Sequence, residues 1–375
     1  MVGAEVGQSG GLGRAVGLVE RRGAAAQLWV ARGGEVLLDR SFGCGAHDLF
    51  WLFSASKPWV TVLLFQLVES GEVELDAPVA AYWPQFAGNG KGGITLRHVL
   101  EHRSGLPTAT RGLAGTARLA GRSPFADAGM AVGALRDSLA MTDWERSVRR
   151  IERARPRWAP GEVPAYQYVD FGFIVGEVVR RVTGAPVAEV LREQVVAPLG
   201  LRDTFLGLPR TELGRAVPMR GRGGYPRAMA RFVNRPEVRM APIPAAGIST
   251  TARDLGAFYG ALLGWNGGRL VSEASLRELT TPSCEEEIDR FVHIHIRWAQ
   301  GLQLGGPRRP PITFSPMGRA SSPRAFGHNG SNVAIGWADP DRDLTFAYVT
   351  NLATGYLADY THLADVADAV LEAVG

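Results

Sequence analysis

Strand-like segments lie at the two ends of this chain, and helical patterns fill most of the stretch between them. Ala24 to Val30 and Glu35 to Phe42 read as two strands joined across Arg32-Gly33-Gly34, a hairpin turn. Near the other end, Ala334 to Asp339 and Leu344 to Asn351 are strands parted by Asp-Pro-Asp-Arg-Asp. A helix follows, from about Leu357 to Val374, and a short amphipathic helix covers Leu12 to Arg22. From about Thr95 to Leu199 the pattern is mostly helical, broken by Gly and Pro. Strands at both ends predict a sheet assembled from the two termini, with a mostly helical section inserted.

The chain has 375 residues, and ~150 residues per domain gives a prior of two to three domains. That length buries a large core without disulfides or a structural metal. Cys44 and Cys284 are too few for a disulfide framework or a cysteine-rich zinc module. The apolar run Trp59 to Phe65 falls far short of the ~20 residues of a membrane span. Glu5, Gln8 and several glycines stand where a signal peptide would carry an apolar core. A soluble, cytoplasmic protein with no membrane partner is the expectation.

Of 41 basic residues only Lys57 and Lys91 are lysines, and the net charge is +4. Such arginine excess is compositional and gives no reason to invoke nucleic acid. It makes each lysine informative, because a buried lysine can become a base and arginine cannot. Arg210, Arg215, Arg220, Arg222, Arg227, Arg231, Arg235 and Arg239 meet only Glu212 and Glu237. With Gly and Pro throughout, this stretch reads as a long loop, either solvated or a basic cleft wall for an anionic substrate.

Three motifs fail on context. Gly7-Gln8-Ser9-Gly10-Gly11 has the spacing of a nucleophile elbow but no strand before it. His98-Val99-Leu100-Glu101-His102 sets two histidines on one helix face, yet a helix stop follows and no third ligand does. His293 and His295 sit two apart on an expected strand, with no further ligand nearby. No metal is assigned.

Ser54-Ala55-Ser56-Lys57 carries the chemistry. Three residues are about one helical turn, so Ser54 and Lys57 share a face, at a helix start whose dipole favours negative charge. Burial would lower the lysine pKa from ~10.4 and let it take the serine proton. Asp48-Leu49-Phe50-Trp51-Leu52-Phe53 precedes the tetrad, and an amphipathic helix follows, with Val60, Leu63, Leu64 and Leu67 on one face. Further along stand Ile94-Thr95-Leu96-Arg97-His98-Val99-Leu100 with Ser104-Gly105-Leu106-Pro107, then Ala245-Ala246-Gly247-Ile248-Ser249-Thr250-Thr251, then Gly327-His328-Asn329-Gly330.

With these segments the chain resembles the serine β-lactamase and penicillin-binding-protein superfamily. The likeness is to the class C-like branch of esterases, D-aminopeptidases and acyltransferases, over most of the chain. The resemblance implies an α/β (α+β) fold with an antiparallel sheet flanked by helices. Residues 1–55 and 290–375 would form the sheet domain. Residues 56–289 would form a mostly helical one, with an Arg-rich cleft loop at 205–245. It also implies a tyrosine followed two residues later by Asn or a substitute. Tyr168-Val169-Asp170 fits best among Tyr166, Tyr168 and Tyr225, with Tyr166 the fallback.

The site implied is Ser54, Lys57, Tyr168 and His328 as catalytic residues. The N–H groups of Ser54 and Ser331 form the oxyanion hole, and Asp170, Asn329 and Gly330 contact substrate. Ser54 would attack an ester or amide carbonyl and form an acyl-enzyme, with no metal or organic cofactor. The partners are a small-molecule acyl donor and water, or an amine or alcohol acceptor. Esterase activity is the leading reading, transacylation in secondary metabolism a second, and a non-catalytic binding protein a third. His328 replaces a usual lysine and weakens the case for β-lactams or cell-wall peptides. Asp170 could pair with Lys57 and shift base work to the tyrosine.

Overall fold

The computed structural model describes residues 11–106 and 140–375. Its main sheet has strands β1 (Ala26–Arg32), β2 (Glu35–Phe42), β3 (Gln303–Leu304), β4 (Phe326–Gly330), β5 (Ala334–Asp339) and β6 (Leu344–Thr350). Their order is β2-β1-β6-β5-β4-β3, and every neighbouring pair is antiparallel. Ala26 pairs with Thr350 and Arg32 with Leu344, so the two terminal hairpins meet at β1 and β6. The expected antiparallel sheet from both ends is the one the chain forms.

The longer helices are α1 (Gly13–Arg21), α2 (Lys57–Glu69), α3 (Trp144–Arg153), α4 (Asp170–Thr183), α5 (Gly224–Val233), α6 (Ala252–Leu262) and α7 (Tyr356–Val374). Side chains alternate across the sheet, as strand geometry demands. Leu28, Val30, Phe346 and Tyr348 pack in one layer with α1 and α7. Trp29, Ala31, Ala347 and Val349 fall in the opposite layer, with Leu255 and Phe258 of α6. Each large apolar side chain buried this way contributes ~1.5–3 kcal/mol. At Gly256 of α6 a Cβ would stand 2.0 Å from the Trp29 ring, so helix and sheet come this close only because the residue is glycine.

The helix after the tetrad differs from its expected form. Trp59, Val60, Val62, Leu63, Leu64 and Phe65 are all buried, so apolar residues surround α2 instead of striping one face. It is a central helix packed against α4, and an all-round apolar surface is what such a position requires.

The stretch expected as one long loop also needs correction. Between residues 205 and 245 the chain forms a 3-10 turn (Arg210–Arg215), α5, and a short helix (Pro236–Met240) opened by its proline. Several of the arginines are anchored. Arg215 pairs with Asp203 and Glu212, and buried Arg239 lies over the Trp51 ring and donates to the Val217 carbonyl. The Gly7–Gly11 motif and Pro107 lie wholly or partly outside the described residues. Among the described residues no helix is long and apolar enough to cross a membrane.

Candidate active site

Ser54 sits in a 3-10 turn, Phe53–Ser56, that runs straight into α2. Phe53 has φ +49°, a left-handed conformation that costs a non-glycine residue energy and re-aims the chain just before the serine. Strand β4 passes beside this turn. A Cβ on Gly330 would stand 1.8 Å from the Leu52 carbonyl oxygen, so only glycine lets the two backbones meet.

Lys57 is fully buried one turn after Ser54. Its Nζ lies 3.3 Å from Ser54 Oγ, donates to Tyr166 OH at 2.8 Å, and donates to the Tyr168 carbonyl at 2.8 Å. No carboxylate among the described residues pairs with it. Burial without a counter-charge pushes its amine well below the usual lysine value, which favours the neutral, proton-accepting form. The Tyr166 hydroxyl donates to Ser54 Oγ at 2.6 Å. Burial, the first cause, pushes the phenol of Tyr166 up, so it holds its proton. Serine hydroxyl, amine and phenol form a closed triangle, with Lys57 out of contact with water and Ser54 and Tyr166 bordering a pocket.

This geometry corrects the tyrosine assignment. Tyr166, the fallback, reaches Ser54, whereas Tyr168 offers Lys57 its carbonyl and a ring face 5.9 Å away, and its phenol lies beside Ser331. Any residue type supplies a carbonyl, so residue identity two positions after Tyr166 carried no signal. Asp170 is corrected as well. It opens α4 and pairs with Arg150 of α3, so it neither contacts Lys57 nor is free for substrate.

His328 is buried on β4 and lines the same pocket as Ser54. Its Nδ1 lies 2.7 Å from the Asn329 carbonyl, which can only accept, so Nδ1 carries the proton and Nε2 is bare. Burial first, and the Lys57 charge second, push its pKa down to about 3. Asn329 and Ser331 also line the pocket, but the Asn329 amide is tied to Gln303 and Asn332.

The other four histidines of the sequence motifs form no ligand set. His98 closes a capping box with Thr95, and His102 packs edge-on to Tyr166 and Trp298. His293 and His295 are not on a regular strand; His293 has φ +58°, and both ring nitrogens of His295 meet backbone groups of Glu285 and Arg309. Among the described residues no cluster of three or more His, Cys, Asp or Glu could hold a metal.

Three residues escaped sequence reasoning. Asp289, fully buried, accepts from the Tyr166 N–H. Trp298 stacks on the Tyr166 ring, with centroids 5.2 Å apart and planes within 3°. Arg308, 6% exposed, lines the pocket and donates one bond to Tyr360 OH, while its Nε and Nη2 have no acceptor among the described residues. The pocket measures about 410 Å³, with Val292, Ile294, Ile296 and Met229 among its apolar walls. Nothing in local spacing marks these residues, because they come together from distant segments.

Comparison with known proteins agrees with this architecture. The family described as Beta-lactamase matches residues 14–370. The chain is 28% identical over 328 residues to Esterase/beta-lactamase LipL of Mycobacterium tuberculosis, covering 80% of this chain and 68% of that protein. It is 35% identical over 201 residues to Esterase EstB of Burkholderia gladioli, half of this chain and 48% of that one. A family VIII carboxylesterase structure superposes with TM-score 0.78 at 24% identity, over 98% of both chains. A penicillin-binding protein homolog from Caulobacter crescentus does so with TM-score 0.75 at 25% identity, over 97% of this chain and 98% of that one. The chain therefore belongs to the β-lactamase family and is a hydrolase on that fold.

Proposed function

We propose that this protein is a serine esterase acting through an acyl-enzyme on Ser54. The observation that carries the reading is the buried triangle of Ser54 Oγ, Lys57 Nζ and Tyr166 OH. A neutral amine beside a hydroxyl is a competent base. Ser54 attacks the ester carbonyl, and its proton passes to Lys57, directly or through Tyr166. The N–H groups of Ser54 and Ser331 receive the oxyanion, where one donor is worth ~3–4 kcal/mol. Tyr166 hands a proton to the departing alkoxide. Water then attacks the acyl-enzyme, frees the carboxylic acid and restores the Ser54 hydroxyl. His328, neutral, serves as a wall of the site and not as a fixed cation.

The pocket beside Ser54 has room for an alcohol or amine, so the same intermediate supports acyl transfer as a second reading. Arg308 bears on substrate choice. A buried guanidinium without a carboxylate partner is costly, and an anionic ligand would offset that cost. Esters carrying a carboxylate therefore join neutral p-nitrophenyl esters in the substrate panel.

Ester turnover and covalent labelling by a fluorophosphonate test the reading together. Wild type turns over and gains one adduct, and Ser54→Ala loses both. An adduct that persists in Ser54→Ala, or equal turnover, defeats the nucleophile assignment. Adding an amine acceptor and weighing amide against acid separates transfer from hydrolysis.

A further inference from the structure

Beyond the triangle itself, one buried carboxylate has no role in the chemistry so far described. Glu177, Asp339 and Asp359 are buried acids that pair with arginines. Asp289 is fully buried, and no cation pairs with it among the described residues. Four donors converge on it instead. Oδ2 accepts from the Tyr166 N–H at 2.9 Å and the Trp298 indole N–H at 3.1 Å. Oδ1 accepts from the N–H groups of Phe291 and Val292 at 2.8 and 3.0 Å.

We infer that Asp289 is the positioning residue for Tyr166: one carboxylate fixes both the tyrosine backbone and the indole plane against which its ring lies. The inference rests on the Ser54–Lys57–Tyr166 reading and adds to it the group that aims the phenol. The phenol must satisfy two contacts at once, 2.6 Å to Ser54 Oγ and 2.8 Å to Lys57 Nζ, and a ring free to tilt would keep neither. Anchoring the backbone alone leaves the ring free to swing. Stacking alone leaves it free to slide. Asp289 ties down both, because Tyr166 and Trp298 share one of its oxygens.

The four donors call for the ionised carboxylate, working against the burial that pushes this carboxyl up. It is acceptor-only, and every group approaching it is a donor. An asparagine amide would turn its own N–H groups toward N–H groups. The charge has a second consequence. A fixed negative charge beside Tyr166 opposes a second one on the phenol, which helps the tyrosine keep its proton between transfers.

A double-mutant cycle on ester hydrolysis tests this. Asp289→Asn lowers kcat by about 30-fold or more and leaves KM within about threefold, because the lost function is proton handling and not substrate binding. In a Tyr166→Phe background the same substitution costs less than about threefold, since there is no phenol left to aim. Losses that multiply in the double variant, or a single variant with wild-type kcat, overturn the assignment. Trp298→Phe keeps an aromatic ring beside Tyr166 while removing the indole donor and part of the stacked area. It gives a kcat loss of about three- to tenfold that also vanishes in the Tyr166→Phe background, and it decides the matter if Asp289→Asn does not fold. Wild-type activity in Tyr166→Phe itself would instead overturn the triangle, a different failure from that of Asp289.

Discussion

Lys57 and Lys91 are the only lysines in the chain, and both are fully buried. Their surroundings differ in kind. Lys91 Nζ donates to three backbone carbonyls, those of Gly88, Glu152 and Ala154, and closes a joint between two segments. Lys57 spends two contacts on hydroxyls, and one of those belongs to a residue in a left-turned, glycine-crowded corner of the backbone. Burial depresses both amines, with the Glu152 charge acting against the shift at Lys91. A lowered pKa therefore does not distinguish a base from a strut. What distinguishes them is whether the amine touches a group that can give up a proton and whether that group faces a pocket.

Exchanging the two fates is the sharpest way to challenge this contrast. Lys57→Met lowers kcat by about 10³-fold, within the range for loss of a general base, with a smaller drop in melting temperature than Lys91→Met. Lys91→Met leaves three carbonyls unpaired and destabilises the fold by about 3 kcal/mol, while kcat of the folded protein stays near wild type. Ester kinetics and thermal melts of the pair read both effects, and a Lys91→Met enzyme as dead as Lys57→Met erases the distinction.

A finer cut separates the two tyrosines around Lys57. Tyr166→Phe lowers kcat by about 10²-fold or more, whereas Tyr168→Phe changes it by less than about fivefold, because Lys57 bonds the Tyr168 carbonyl and not its hydroxyl, and phenylalanine keeps the ring. Steady-state kinetics in the reverse order would restore the Tyr168 assignment.

The smallest effect lies in the pH dependence of stability. For an amine depressed on folding, the unfolded chain binds more protons between the folded pKa and ~10.4, so stability rises with pH across that window and is lost as pH falls. Lys57→Met and Lys91→Met each flatten part of that rise in chemical-denaturation series, and only Lys57→Met also removes the acid limb of kcat. At His328 the folded value of about 3 lies below the ordinary ~6.5, so its contribution is complete above pH ~6.5 and falls away toward pH 3.

Much of this architecture was legible along the chain, for local reasons. Alternation and turn chemistry place β1, β2, β5 and β6, because each signal spans only a few residues. Ser54 and Lys57 were legible because a single helical turn makes them neighbours whatever the rest of the fold does. The tyrosine was ambiguous because two overlapping tyrosines satisfied the same loose spacing, and the choice lies in ring placement. Asp289 and Trp298 were invisible, since they meet Tyr166 across more than a hundred residues. Arginine density failed as a guide to a loop, because ion pairs and a tryptophan face anchor several of those side chains inside ordered structure.

The strand order β2-β1-β6-β5-β4-β3 has a consequence for a chain emerging from the ribosome. β1 is made early yet cannot find its neighbour until residues 344–350 exist, and β4, which presses Gly330 on the serine turn, hangs from that late strand through β5. Such long-range pairing closes slowly. For most of its synthesis the nascent polypeptide carries Ser54 without the wall that completes its surroundings, and that wall arrives only when the last hairpin docks.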